Sequence, residues 1–138
     1  MTTSQTNPLG PGYEGVAGSE MRFRDIFRDT LRAEMNRDDD VFLMGEDISG
    51  GFDKDTKEPL DAWGGPFAAT KGLVQEFGVE RIRDAPISEA GFVGAAVGSA
   101  LTGMRPVVDL MYFDFVTVAF DQLLSNAAKS RYMFGGQT

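Results

Sequence analysis

From Phe23 the apolar residues recur at helical intervals. Phe23, Ile26, Phe27, Leu31 and Met35, with Thr30 among them, share one face while charged residues fill the other. That spacing predicts an amphipathic helix. Val41-Phe-Leu-Met44 is a short apolar run between Asp38-Asp39-Asp40 and Gly45, the pattern of a buried strand. Phe67, Thr70, Leu73, Val74 and Phe77 predict a second helix, stopped by Gly78. Ile82 belongs to a short strand ending at Asp84, and Ser88, after Pro86, is placed to cap a third helix running to Gly103. Val107 to Met111 reads as the next strand. A final helix is expected from about Phe115 to Met133, with Ala119, Leu123, Ala127 and Ala128 on it, ending at Gly135-Gly136.

A helix followed by three strand–helix units predicts an α/β fold, a parallel sheet with helices on both faces in three layers. Ligands of such sheets collect outside the carboxyl ends of the strands. Here that rule selects Gly45-Glu46-Asp47, Pro86-Ile-Ser-Glu89 and Tyr112 to Phe115. Residues 1–20, rich in Gly and Pro and poor in large apolar side chains, are expected to form a flexible arm, leaving 21–138 as the folded domain. Ser49 to Pro66 is a long Gly- and Pro-containing loop of a kind that is often functional. Three strands are few for a sheet, so the domain looks truncated.

Composition narrows the chemistry. With 13 Lys and Arg against 21 Asp and Glu, the net charge of −8 argues against nucleic acid and against a polybasic membrane patch. No segment is apolar enough to span a bilayer and the start lacks signal-peptide features, so the cytoplasm is the expected location. The chain has no Cys and no His. Zinc sites built from them, disulfides, Cys nucleophiles and Ser-His-Asp triads are therefore excluded within it.

Glu89 is the most informative residue. As a first-turn acid it complements the helix dipole, while the alternative is a carboxylate aimed into a cleft beside the sheet. Gly91, Gly94 and Gly98, among Ala95, Ala96 and Ala100, favour the second reading. Glycine costs roughly 1 kcal/mol against alanine inside a helix, so three of them imply a close backbone approach, expected between subunits. Glu46 after the first strand and Asp121 in the last helix are solvated acids, or partners of Glu89 in a coupled carboxylate set. Met111, Phe113 and Phe115 alternate at strand spacing, which reads as core, although Phe115 is also placed to face a flat ring. Gly64 to Gly72 matches a P-loop only in composition, its Lys71 preceding the second glycine. Arg81, Arg83 and Arg105 are expected to be structural ion-pair partners.

The stretches VFLMGEDI (41–48), GGPFAATKGLVQEFG (64–78), RIRDAPISEAGFVGAAVGSALTGMRPVVDLMYFDF (81–115) and FDQLLSNAAKSRYMFGGQ (120–137) carry a specific likeness. They closely resemble the beta subunit of the thiamine-diphosphate-dependent 2-oxo acid dehydrogenase component, a family that includes the pyruvate, branched-chain 2-oxo acid and acetoin dehydrogenases. Asp61-Ala-Trp63-Gly-Gly and Arg131-Tyr-Met-Phe-Gly-Gly look most like the acetoin type. The resemblance implies the pyrimidine-binding fold of transketolase-like enzymes. It also implies that Glu89 hydrogen-bonds the ring nitrogen of the cofactor's aminopyrimidine. The imino tautomer so favoured deprotonates the thiazolium carbon, and the cofactor then serves as electron sink. By the same resemblance Phe115 stacks on the pyrimidine, Met111 lines the pocket, Glu46 contacts the cofactor, and Glu46, Glu89 and Asp121 line an acidic proton channel.

The likeness further implies that the diphosphate and its Mg2+ are held by an alpha subunit, through a Gly-Asp-Gly…Asn-type motif absent here. The expected partners are that subunit, in an alpha2-beta2 assembly, and a lipoyl acyltransferase, with a 2-oxo acid or acetoin as substrate. The family's subunit is longer and carries a site His that this chain lacks. Arg22 stands where Ser or Thr often caps the first helix, and Asp53–Asp61 is a charged insertion. Two other readings stay open: a non-catalytic interaction module keeping the small-residue helix, and a carboxylate-pair hydrolase using Glu46 and Glu89.

Overall fold

The computed structural model describes residues 22–50, 56 and 63–137. The expected arm at 1–20 and the insertion at 53–61, apart from Thr56, lie outside them. Helix α1 (Phe23–Arg37) leads into strand β1 (Val41–Gly45), helix α2 (Leu73–Phe77), strand β2 (Ile82–Asp84), helix α3 (Glu89–Leu101) and strand β3 (Arg105–Asp109). A single 3-10 turn, Phe113–Phe115, then opens one continuous helical rod. Its first part is helix α4 (Val116–Asp121), its middle a π-helical stretch at Gln122–Ala128, and its last part helix α5 (Lys129–Met133).

The strands form a parallel sheet in the order β2-β1-β3. Alternation along β1 sends its side chains to opposite faces. Val41 and Leu43 join Leu31, Met35, Ile48, Leu73, Val74 and Ile82 in a core beneath α1 and α2. On the other face Met44 and Val108 pack with Phe92, Val93 and Ala119 of α3 and α4. The three layers and the parallel sheet are as expected.

Arg81 closes the α1–β1 corner. Its guanidinium donates to the carbonyls of Met35 (2.9 Å), Asp38 (2.8 Å) and Val41 (2.7 Å), so carbonyls outnumber the one remote carboxylate, Asp39 at 3.5 Å. Arg105 pairs with Asp38 at 3.1 Å, whereas Arg83 lies over the Phe42 ring, 4.6 Å from its centroid, and donates to the Glu80 carbonyl. All three arginines are structural, but only two make ion pairs. Arg32 joins α1 to α2. Its hydrogen bond to Glu76 raises the guanidinium pKa, against a smaller lowering by burial.

Two expected elements differ in extent and two in detail. The second helix is a single turn and a half, because Ala68 (φ 52) and Gly72 (φ 85) lie in the left-handed region and coil the preceding segment. That coil lets the buried Thr70 hydroxyl donate to the Ile48 carbonyl at 2.8 Å. β3 ends two residues early: the Asp109 side chain accepts the Met111 N–H at 2.7 Å and Met111 turns left-handed (φ 61). Met111, Phe113 and Phe115 consequently leave the strand, and Phe113 is exposed. Ser88 occupies the N-cap position of α3 without a side-chain capping bond. On α1, only Leu31 and Met35 are fully buried, while Phe23 stands 84% exposed.

Candidate functional site

Parallel register brings the ends of all three strands to one edge, where Gly45 stands opposite both Asp84 and Asp109. Three segments leave that edge. Glu46 follows β1 directly and is half-buried. Residues 85–88 connect β2 to Glu89, the first residue of α3. Residues 110–115 connect β3 to α4, whose N-cap residue is Phe115. The edge selected by the strand–helix alternation therefore carries Glu46, Glu89, Met111 and Phe115.

Glu89 is buried, only 9% exposed, beside Phe92 and Val93 on the inward side of α3. Among the described residues no group hydrogen-bonds its carboxylate, and no buried side-chain oxygen lacks a partner, so its oxygens stay open to the surface. A helix N-terminus offsets part of the cost of holding a charge there. This carboxylate can accept a hydrogen bond from, or donate one to, a group arriving from outside the chain.

An aromatic ladder ends at Phe115, the N-cap residue of α4. Phe67 meets Tyr112 edge-on with centroids 5.3 Å apart, and Tyr112 meets Phe115 edge-on at 5.8 Å. Such pairs hold ring planes at fixed angles, and Phe115 keeps 36% of its surface exposed. A cavity of about 830 Å3 adjoins the ladder on the α1 side, lined by Phe27, Leu43, Phe67, Val107, Met111 and Tyr112 among others. Met111 thus lines a hollow to which Glu46, Glu89, Phe115 and Asp121 do not contribute. Asp121 lies farther along, at the end of α4, exposed and within 3.5 Å of the Gln122 amide. No cluster of three carboxylates suited to a metal ion occurs among the described residues.

The glycines of α3 divide. A Cβ on Gly94 would come within 2.9 Å of the Gln122 side chain of this same chain, and one on Gly91 within 2.6 Å of Ser88. Two of the three close approaches expected between subunits are therefore internal. Of the three, Gly98 alone has open space beside it among the described residues. Sequence reasoning missed Ser49 and Asp84, whose side chains pair at this edge. The Asp at the end of β2 was the available signal.

The description "transketolase, pyrimidine binding domain" matches residues 19–136. The chain belongs to that family. It is 49% identical over 82% of its length to the beta subunit of acetoin:2,6-dichlorophenolindophenol oxidoreductase of Bacillus subtilis, covering 33% of that protein. The corresponding subunit of Cupriavidus necator is 50% identical over 79% of the chain, covering 31% of that protein. The pyruvate dehydrogenase E1 component subunit beta of Rhizobium meliloti is 43% identical over 89% of the chain, covering 24% of that protein. The chain thus spans about a quarter to a third of these curated relatives. As a transketolase-type pyrimidine-binding domain it has the α/β fold expected of it, and no described helix is long and apolar enough to cross a membrane.

Proposed function

We propose that this domain activates thiamine diphosphate within the beta subunit of a 2-oxo acid or acetoin dehydrogenase component. The observation that supports the reading best is Glu89, a buried carboxylate with open oxygens at the start of α3, on the sheet edge from which Phe115 also departs. Its donor set fits the aminopyrimidine half of the cofactor: one carboxylate for a ring nitrogen and one partly exposed ring for stacking. The described residues do not fit the diphosphate and its Mg2+, which need a phosphate cradle and a carboxylate cluster. Those groups are assigned to an alpha subunit.

When bound, the cofactor supplies the electron sink for cleavage beside a carbonyl. Glu89 holds a proton at the pyrimidine ring nitrogen, and burial strengthens that contact relative to water. Phe115 orients the ring. Glu46, beside Gly45, approaches from the central strand, while Met111 lines the neighbouring hollow on the α1 side. Asp121 continues an acidic path with Glu46 and Glu89 toward a second site.

The exposed apolar residues of the last rod, Val118, Leu124 and Tyr132 among them, support docking on an alpha subunit in an alpha2-beta2 assembly. A lipoyl acyltransferase then receives the acyl group, in the cytoplasm. The relatives' names favour acetoin or pyruvate as substrate.

Glu89→Gln in the assembled protein tests the proposal. It should slow hydrogen–deuterium exchange at the thiazolium carbon by roughly 10²–10⁴-fold, the scale of a lost acid–base contact. Exchange at the wild-type rate would remove Glu89 from this role.

A further inference from the structure

The carboxyl end of β1 runs into a clip, Glu46 to Ser49, that doubles back beneath the sheet edge. Gly45 is fixed on both sides by the ladder, and the Ala85 N–H donates to its carbonyl at 2.8 Å. The chain then turns through Asp47, an exposed residue held in the left-handed region at φ 54. Ile48 and Ser49 plunge back into the interior, 1% and 0% exposed. Thr70 and Asp84 both anchor the clip's returning limb. Thr70 donates its hydroxyl to the Ile48 carbonyl, and Asp84 accepts both the Ser49 N–H, at 2.9 Å, and the Ser49 hydroxyl.

Asp84 is the last residue of β2, so the strand register itself sets where its carboxylate stands. Hydrogen bonds to an ionised acceptor are roughly twice as strong as neutral ones. Two of them converge on one residue of the clip, with the strained Asp47 between that residue and Glu46. A left-handed aspartate persists only where its surroundings over-determine it, and the Ser49–Asp84 pair is part of that determination. Glu46 therefore leaves the sheet edge in a direction set by the rigid strand ahead of it and by Asp84 behind it.

We infer that Asp84, acting through Ser49, is a positioning residue for Glu46, holding its carboxylate in the register that the pyrimidine half of the cofactor requires. The inference rests on the reading of Glu46 as a cofactor contact. It also separates the two acids at this edge: Glu89 is presented by a helix N-terminus, while Glu46 depends on a clip closed by a third acid.

The test is a double-mutant cycle read by calorimetric titration of thiamine diphosphate with Mg2+ into the full-length subunit assembled with its alpha partner. Asp84→Ala should raise the cofactor Kd about tenfold, the scale of one charge-assisted hydrogen bond. Ser49→Ala should act in the same direction by less, and Asp84→Asn, which still accepts the Ser49 N–H, should restore most of the affinity. Both losses should vanish in the Glu46→Gln background, because a clip that no longer presents a carboxylate has nothing left to position. Equal losses in both backgrounds would overturn the inference, as would an unchanged Kd for Ser49→Ala and Asp84→Ala beside a raised Kd for Glu46→Gln. An unchanged Kd for Glu46→Gln alone overturns the underlying assignment of Glu46, and is told apart because it is read from that single variant. Should Asp84→Ala fail to assemble, the Ser49→Ala cycle carries the same comparison.

Discussion

Gly45 offers a test of how tightly the sheet edge is built. A Cβ placed there would lie 2.9 Å from the Asp109 carbonyl oxygen, 3.0 Å from the Asp109 Cβ and 3.1 Å from a methyl of Ile48. Its backbone φ is not in the left-handed region, so alanine meets no conformational penalty, and the whole effect is steric. Two of the three obstructing atoms belong to a neighbouring strand that is hydrogen-bonded in register and cannot rotate away. Restoring ordinary contact requires β1 and β3 to part by about 0.5 Å, a tenth of the usual interstrand spacing. Overpacking of this kind costs about 1–3 kcal/mol. For a chain of this size, that is a fall in melting temperature of roughly 4–15 °C. Thermal unfolding of Gly45→Ala followed by circular dichroism measures it. A melting temperature within one or two degrees of wild type would refute the claim that β3 and Ile48 leave no room for a methyl at Gly45. Because Glu46 is the next residue, the same variant should also weaken cofactor binding.

Gly98→Ala should do the opposite. Among the described residues nothing lies within 4 Å of the new methyl, so the chain should gain about 0.5–1 kcal/mol from helix propensity, measured by urea denaturation. If α3 meets another subunit there, gel filtration with the alpha partner should show weaker assembly from that same stabilised chain. Arg81→Lys removes the Nε–H that donates to the Val41 carbonyl at 3.0 Å, and its shorter stem does not bring the ammonium to the place where Nη2 meets all three corner carbonyls. It should cost about 1–3 kcal/mol in urea denaturation, and a midpoint equal to wild type would show the α1–β1 corner to be held by other contacts.

The layers, the parallel sheet and the edge carrying Glu46, Glu89, Met111 and Phe115 were all legible in the alternation of periods along the chain. Local rules sufficed wherever burial of one face dictated the element, as in β1 and α3. They failed where a side chain reached across the fold. The periodicity from Phe67 to Phe77 promised a full helix, but Thr70 bonds to Ile48, a partner remote in sequence, and the backbone coils to let it. The β3 boundary failed for a different reason, since an Asx turn at Asp109 ended a run that composition alone would extend. Ser49 and Asp84 were invisible because their pairing follows from strand register, which no single segment encodes. The glycines of α3 were read as a close backbone approach between subunits, but Gly91 and Gly94 meet side chains of their own chain, Ser88 and Gln122.

The strand order has a temporal side. β1, central in the sheet, is made before both of its neighbours, β2 on one flank and β3 on the other. During synthesis, at about 5–20 residues per second, the middle of the sheet is therefore waiting when each flank emerges from the ribosome. Among the three described strands, every addition is made outward onto existing backbone and none inserts between two earlier ones. The acid after β1 is among the first parts of the edge to be translated, but its setting is finished only when the aspartates closing the two younger strands have arrived.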